Sequence, residues 1–211
     1  MASRQLTPLS ELEQDALAEL SNVAMARAAN SLRQMVNHQV ELSVPSVEIV
    51  SKEAATQLIS KPTNATLVAI RQDFTGAFSG RALLIFPESS SLELVRVVVG
   101  SQLPLEDIVN LEDEALAETG NIILNSWVAT IANLLKSGLK MSLPTVVRGD
   151  SSQMFKSDES QSLVLFLHIK FEISTKEIRG YVALIMDIPS VEGLRALIAD
   201  FIANATRTNR S

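Results

Sequence analysis

Apolar and polar positions divide this chain into the same succession of elements twice. A helical pattern opens each round, over about residues 8–37 and again over about 110–137. In the second of these, Leu116, Ile123, Trp127 and Leu134 fall on one stripe, as the roughly 100° step of a helix requires. An extended segment containing a proline follows each helix, around 40–50 and 140–148. Two strand-like runs come next, 65–74 with 79–86 and 161–173 with 178–187. Leu163, Leu165, Leu167, Ile169, Phe171 and Ile173 alternate strictly, which predicts a strand with one face on a core. Each round closes on a shorter helix, about 89–99 and 190–203, and the small polar segment 204–211 is expected to fray.

The two rounds are related residue by residue. Asp15 to Asn22, DALAELSN, aligns with Glu114 to Asn121, EALAETGN, at an offset of 99. The same offset relates Pro45 to Pro144, and Gly80-Arg-Ala-Leu-Leu-Ile-Phe matches Gly180-Tyr-Val-Ala-Leu-Ile-Met at an offset of 100. Landmarks in one order at nearly one offset mark a tandem duplication. Repeat 1 covers about 8–103, repeat 2 about 104–203, and 204–211 forms a polar tail. No Pro/Gly/Ser-rich linker parts the halves, and neither has enough strands to make a sheet of its own covered on both faces. The expected fold is therefore α/β: one domain over 1–211, built of two tandem pseudo-symmetric halves. Their strands should share one β-sheet, with the long helices packed outside it.

Composition narrows the chemistry. The 211 residues are 46% apolar, enough for a buried core. With 18 Lys and Arg against 24 Asp and Glu, the net charge of −6 speaks against nucleic acid or an anionic membrane as partner. There is no cysteine, and only two histidines, so thiolate sites and histidine-based metal or triad chemistry have little to build on. No apolar run approaches a membrane span and no signal-peptide pattern opens the chain, so a cytoplasmic protein is expected. Phosphate-cradling glycine loops, dinucleotide fingerprints and nucleophile elbows are absent from the sequence. His168 shares its strand face with Lys170 and Glu172 and reads as a half-exposed strand residue. His38, after the first helix, suits the carbonyl end of its dipole. Trp127 reads as core.

The duplicated acids and amides carry the information. On a helix, Asp15, Glu19 and Asn22 span an arc of only about 60°, and Glu114, Glu118 and Asn121 do the same. Leu17, Leu20 and Ala24 occupy the opposite side, so both polar rows should face solvent. A merely solvated face has no reason to keep Glu-x-x-Asn twice in register with a proline 23 positions after the asparagine. Helix and proline-bearing strand are expected to be neighbours at a shared site.

At these residues the chain resembles the CheC-type phosphatases of bacterial chemotaxis, the CheC/CheX/FliY-like family, in its two-site form. The pattern is Asp or Ser, three residues, Glu, two residues, Asn, about 22 residues, then Pro. Asp15, Glu19, Asn22 and Pro45 match it fully; Glu118, Asn121 and Pro144 match it in the second copy, with Glu114 in place of the leading Asp or Ser. The family's first helix often carries glycines where this chain has Ser21, Ala24 and Ala26, while Gly120 is kept beside Asn121. Asn125 matches Ala26 in the second helix and is bulkier, so the steric argument does not run one way; both sites are expected to act, the second slightly favoured for Gly120.

The resemblance implies hydrolysis of an aspartyl phosphate on a CheY-like response regulator. Asn22 and Asn121 would orient the attacking water, and Glu19 and Glu118 would dock the helix against the receiver's lysine. Asp15 and Glu114 would be peripheral. No cofactor or metal of its own is implied, since Mg²⁺ belongs to the partner receiver domain. A CheD-like deamidase is a second candidate partner. The alternative reading is a non-catalytic protein, a flagellar-switch-like scaffold or one that sequesters the phosphorylated regulator.

Overall fold

The first long helix, α1 (Glu11–Val36), is started by a side-chain exchange at its N-terminus. Glu13 N–H donates to Ser10 Oγ at 3.3 Å, while the Ser10 N–H and hydroxyl donate to Glu13 Oε2 at 2.7 and 2.9 Å. This reciprocal pair satisfies donors that a helix N-terminus otherwise leaves open. The structure, a computed structural model, describes residues 9–36, 39–60, 66–99, 104–156, 162–173 and 176–208; His38 lies outside them.

After α1 come β1 (Val40–Ser51), α2 (Lys52–Ser60), β2 (Leu67–Gly76), β3 (Gly80–Pro87) and α3 (Glu88–Val99). The second round is α4 (Leu105–Asn110), α5 (Glu112–Leu134), β4 (Leu139–Met141), β5 (Thr145–Gly149), α6 (Ser151–Met154), β6 (Ser162–Ile173), β7 (Lys176–Asp187) and α7 (Ile188–Thr208). Among the described residues, the seven strands form one antiparallel sheet in the order β1-β6-β7-β3-β2, with β4 and β5 both on the far side of β2. The sheet is reciprocal between the halves. The proline-bearing strand of the first half pairs with β6 of the second, and that of the second pairs with β2 of the first. Neither half's strands are complete without the other's, which makes one shared sheet, as the sequence predicts.

The prolines explain the edges. Pro45 has no N–H to give a ladder, and the β1–β6 register slips between Ser43 and Ser46, which is a bulge on an edge strand. At Leu143 and Pro144 the ladder is interrupted, although Ser142 N–H still donates to Asp73 O at 2.8 Å, and this leaves the separate short strands β4 and β5.

One sheet face carries the main core. There α1 and α5 pack against each other and the sheet, burying Leu17, Leu20, Ala24, Leu116, Ile123 and Trp127 against Leu165, Leu167, Val182 and Leu184. The expectation that β6 buries only one face is corrected. Val164 and Phe166 are also buried, in a second cluster with Ala55 and Ile59 of α2 and Met154 and Phe155 at α6. These two covering helices are short, α2 burying Ala55 and Ile59 and α6 only Met154, so no long helical period announces them.

Two further boundaries differ from the sequence reading. The second long helix is preceded by the separate turn-and-a-half of α4, and residues 204–208 continue α7 instead of fraying. Thr206 supports that last turn through its hydroxyl, which donates to Ile202 O at 2.7 Å. Among the described residues no helix is long and apolar enough to cross a membrane.

α7 is tied to α1 by Arg195, whose Nε and Nη2 donate to the two carboxylate oxygens of Glu13, each at 3.1 Å. Burial would raise the Glu13 pKa, yet the Arg195 guanidinium and the Ser10 donors outweigh it and hold the carboxyl below its ordinary value near 4.5. A group depressed in the folded state stabilises above its unfolded pKa, and the contribution is lost as pH falls through the folded value. Thermal melts on acidification below about pH 4.5 are expected to show this loss, and Glu13→Gln to remove part of it. Identical acid profiles for the two proteins would exclude the contribution.

Candidate functional site

The two polar rows lie where the helical step puts them. Asp15 and Glu19 on α1, and Glu114 and Glu118 on α5, are exposed, while the opposite faces of both helices are in the core. Among the described residues, none of these four carboxylates enters an ion pair or a hydrogen bond. Glu112 and Asp113 at the start of α5 differ, both pairing with Arg148, at 3.2 and 2.6 Å. The four outward acids are thus available to a partner cation. No group of three or more metal-ligating side chains occurs among the described residues.

The asparagines are not simply exposed, as the sequence reading has them. Each is half-buried against the sheet. Val44 N–H donates to Asn22 Oδ1 at 2.9 Å, and Asn22 Nδ2 donates to Val44 O at 3.4 Å. The bulge at Pro45 interrupts the β1–β6 ladder at this residue, and the Asn22 carboxamide takes its place. This gives the motif's spacing a physical cause in the first half. Helix and proline-bearing strand are neighbours because the asparagine pairs with the residue just before the proline.

The second half solves the same problem differently. The residue before Pro144 is Leu143, 86% exposed, and Asn121 does not bond to it. Gln72 of β2 instead donates from Nε2 to Ser142 O at 2.9 Å and to Asn121 Oδ1 at 3.2 Å. Asn125 Nδ2, one helical turn on, donates to the same Oδ1 at 2.6 Å. Gln72 is fully buried, and its Oε1 and the Oδ1 of Asn125 are buried without a protein partner.

Backbone chemistry fixes these orientations. A carbonyl such as Ser142 O only accepts, so Gln72 must present its nitrogen, and Asn121 then its oxygen. Val44 N–H only donates, which orients Asn22 likewise.

Gly120 has a different task from the one its place beside Asn121 suggests. It is buried, and a Cβ there would overlap the Ile70 side chain of β2. Its absent side chain lets α5 approach the sheet, not a partner approach α5. Ser21, the matching residue of α1, is equally buried, as is Ala24. These positions give no reason to favour the second site. His168 is half-exposed, as expected, with Nε2 3.6 Å from Glu48 Oε1 and its ring edge-on to Phe166 and Tyr181.

Comparison with known proteins places this geometry in context. A family model described as "Chemotaxis phosphatase CheX" matches residues 68–168. The flagellar motor switch phosphatase FliY of Bacillus subtilis is 22% identical over 176 residues, 82% of this chain and 46% of that protein. The chain thus spans about half the length of that relative. The CheY-P phosphatase CheC of the same organism is 24% identical over 159 residues, 74% of each chain. Among solved structures, Thermotoga maritima FliY superposes with a TM-score of 0.74 at 16% identity, covering 92% of this chain and 98% of that one. The FliM middle domain of H. pylori gives 0.60 at 10% identity, covering 90% and 99%. A CheX from Borrelia burgdorferi, solved in complex with CheY, BeF3 and magnesium, gives 0.50 at 16% identity, covering 79% and 98%.

Proposed function

The chain belongs to the CheC/CheX/FliY family of chemotaxis proteins, and from that premise we propose that it hydrolyses the aspartyl phosphate of a CheY-like response regulator. One observation carries the reading: two helices each present an exposed, unpaired glutamate and, one turn on, an asparagine whose carboxamide is held by the sheet.

Phosphoryl transfer to water passes through a loose transition state, so positioning and charge stabilisation supply most of the catalysis. The receiver would contribute Mg²⁺, the phosphoaspartate and a lysine, and this chain no metal of its own. Asn22 and Asn121 are the side chains placed against the phosphoryl group. A carboxamide can accept a hydrogen bond from the attacking water and donate one to a phosphoryl oxygen. Water adds to phosphorus as the bond to the aspartyl oxygen breaks. The leaving carboxylate stays on the receiver and inorganic phosphate departs with the water's oxygen. Because an acyl phosphate is labile, no strongly basic side chain is needed.

Glu19 and Glu118 are the docking groups, each able to pair with the receiver's lysine and set the helix in register. Asp15 and Glu114, one turn further back, add negative charge at the rim. Glu19→Gln and Glu118→Gln are expected to raise KM for phosphorylated receiver, more at low than at high ionic strength, with kcat less affected. An unchanged KM at low salt in both variants would remove the docking role.

Phosphate release at substoichiometric protein tests the reading as a whole. A phosphatase liberates more phosphate than there is protein. A scaffold of the kind the FliM-like fold suggests, or a sequestering protein, leaves the decay of the phosphorylated receiver unchanged or slows it.

A further inference from the structure

The two sites differ in what their asparagines have left to offer. Asn22 Oδ1 receives one hydrogen bond, from Val44 N–H, and keeps a second lone pair; its Nδ2 gives one hydrogen to Val44 O and keeps the other. Asn121 Oδ1 receives two, from Gln72 and from Asn125, and has no lone pair left, while its Nδ2 makes no hydrogen bond among the described residues. A water made nucleophilic by orientation must give a hydrogen bond to an acceptor. Asn22 can take it as it stands. Asn121 can only donate, to a phosphoryl oxygen or to the water's oxygen.

The difference is written into two positions. Asn125 matches Ala26 of α1 in the repeat, and Ala26 has no group with which to reach Asn22. The strand position is found from the sheet register. Phe74 pairs with Met141 and Phe171 with Leu42, each three residues before the proline, so Gln72 corresponds to Ile169 of β6. Ile169 is buried and apolar, and beside it, at the β1 bulge, Asn22 binds strand backbone directly.

We propose that Gln72 and Asn125 are positioning residues that commit Asn121 to donation, so that the two sites divide the work: Asn22 orients the water, and the second site chiefly binds the phosphoryl group. This rests on the phosphatase reading above.

Single-turnover phosphate release from a phosphorylated CheY-like receiver tests it, using wild type, Asn22→Ala, Asn121→Ala and the pair Asn22→Ala with Asn125→Ala. The Asn22 variant is expected to lose at least about tenfold more of the stimulated rate than the Asn121 variant. Adding Asn125→Ala to Asn22→Ala frees a lone pair on Asn121 and is expected to raise the rate. Such a gain would not follow from structural damage, which only lowers rates. Equal losses, a greater loss in Asn121→Ala, or no gain from Asn125→Ala overturns the division. If wild type itself does not accelerate release, the phosphatase reading fails, and the division with it.

Side-chain amide exchange by NMR gives a readout that needs no partner. Both hydrogens of Gln72 Nε2 are held and buried and should exchange slowly, those of Asn121 Nδ2 quickly. The opposite order overturns the proposal whatever the assay gives.

Discussion

Asn22→Ala combined with Asn121→Ala is expected to abolish stimulated hydrolysis of the phosphorylated receiver, a loss of about 10²-fold or more. Both carboxamides that could touch the phosphoryl group or its water would then be gone, while Glu19 and Glu118 would still dock. Loss of kcat with nearly unchanged KM is therefore the expected signature. The substitution is not structurally silent. Val44 N–H loses its acceptor and Gln72 one of its two, and each unmade bond costs on the order of 1 kcal/mol. Alanine's helix propensity offsets part of this. Circular dichroism and a thermal melt should show a folded protein with a modestly lowered Tm. A folded double variant that still accelerates hydrolysis at the wild-type rate would remove the site assignment.

Gly120→Val is expected to lower stability strongly, by about 3 kcal/mol. Even the first side-chain carbon would fall inside the Ile70 side chain, which is fully buried in the middle of β2. Neither neighbour can yield cheaply. Ile70 is hemmed in by strands on both sides, and α5 is packed on α1 as well as on the sheet. Replacing a helical glycine normally gains propensity, but that gain is below about 1 kcal/mol and the overlap outweighs it. The diagnostic result is rescue: Gly120→Val should recover part of its lost stability when Ile70→Ala is added, because the two changes share one space. Urea unfolding of the four proteins measures it, and strict additivity would mean that the clash is not the cause.

The same glycine shows where sequence reasoning stops. The repeat is legible as a residue-by-residue match, and the two long helices because each is a long period with one dominant cause, burial on a single face; the alternation of β6 is legible too, although Val164 and Phe166 are buried on its other face. The outward acids Asp15, Glu19, Glu114 and Glu118 follow from that same period and lie where it puts them. The short α2 and α6 are not legible, since one or two buried apolar residues in a helix of nine residues or fewer make no period. The sequence reading connects Gly120 with a partner's approach, and only the position of Ile70 shows that it serves the protein's own sheet. Gln72 is the instructive omission. It takes an apolar residue's place in the alternating buried run Val68, Ile70, Gln72, Phe74 of β2, and pairs with residues 49 and 70 positions away, a contact that only the sheet topology creates. A buried glutamine in such a run demands partners, and that demand was the one signal available. The half-burial of the asparagines was hidden likewise, because the helical period gives direction but not the distance to the neighbouring strand.

The structure of this protein bound to a CheY-like receiver carrying beryllofluoride and Mg²⁺ tests the central claim most directly, through one distance. The expected result is an Asn22 or Asn121 carboxamide within hydrogen-bond reach of the beryllofluoride or its in-line water, with Glu19 or Glu118 against the receiver's lysine. A receiver seated on the opposite sheet face, over α2 and α6 and away from both asparagines, would contradict it.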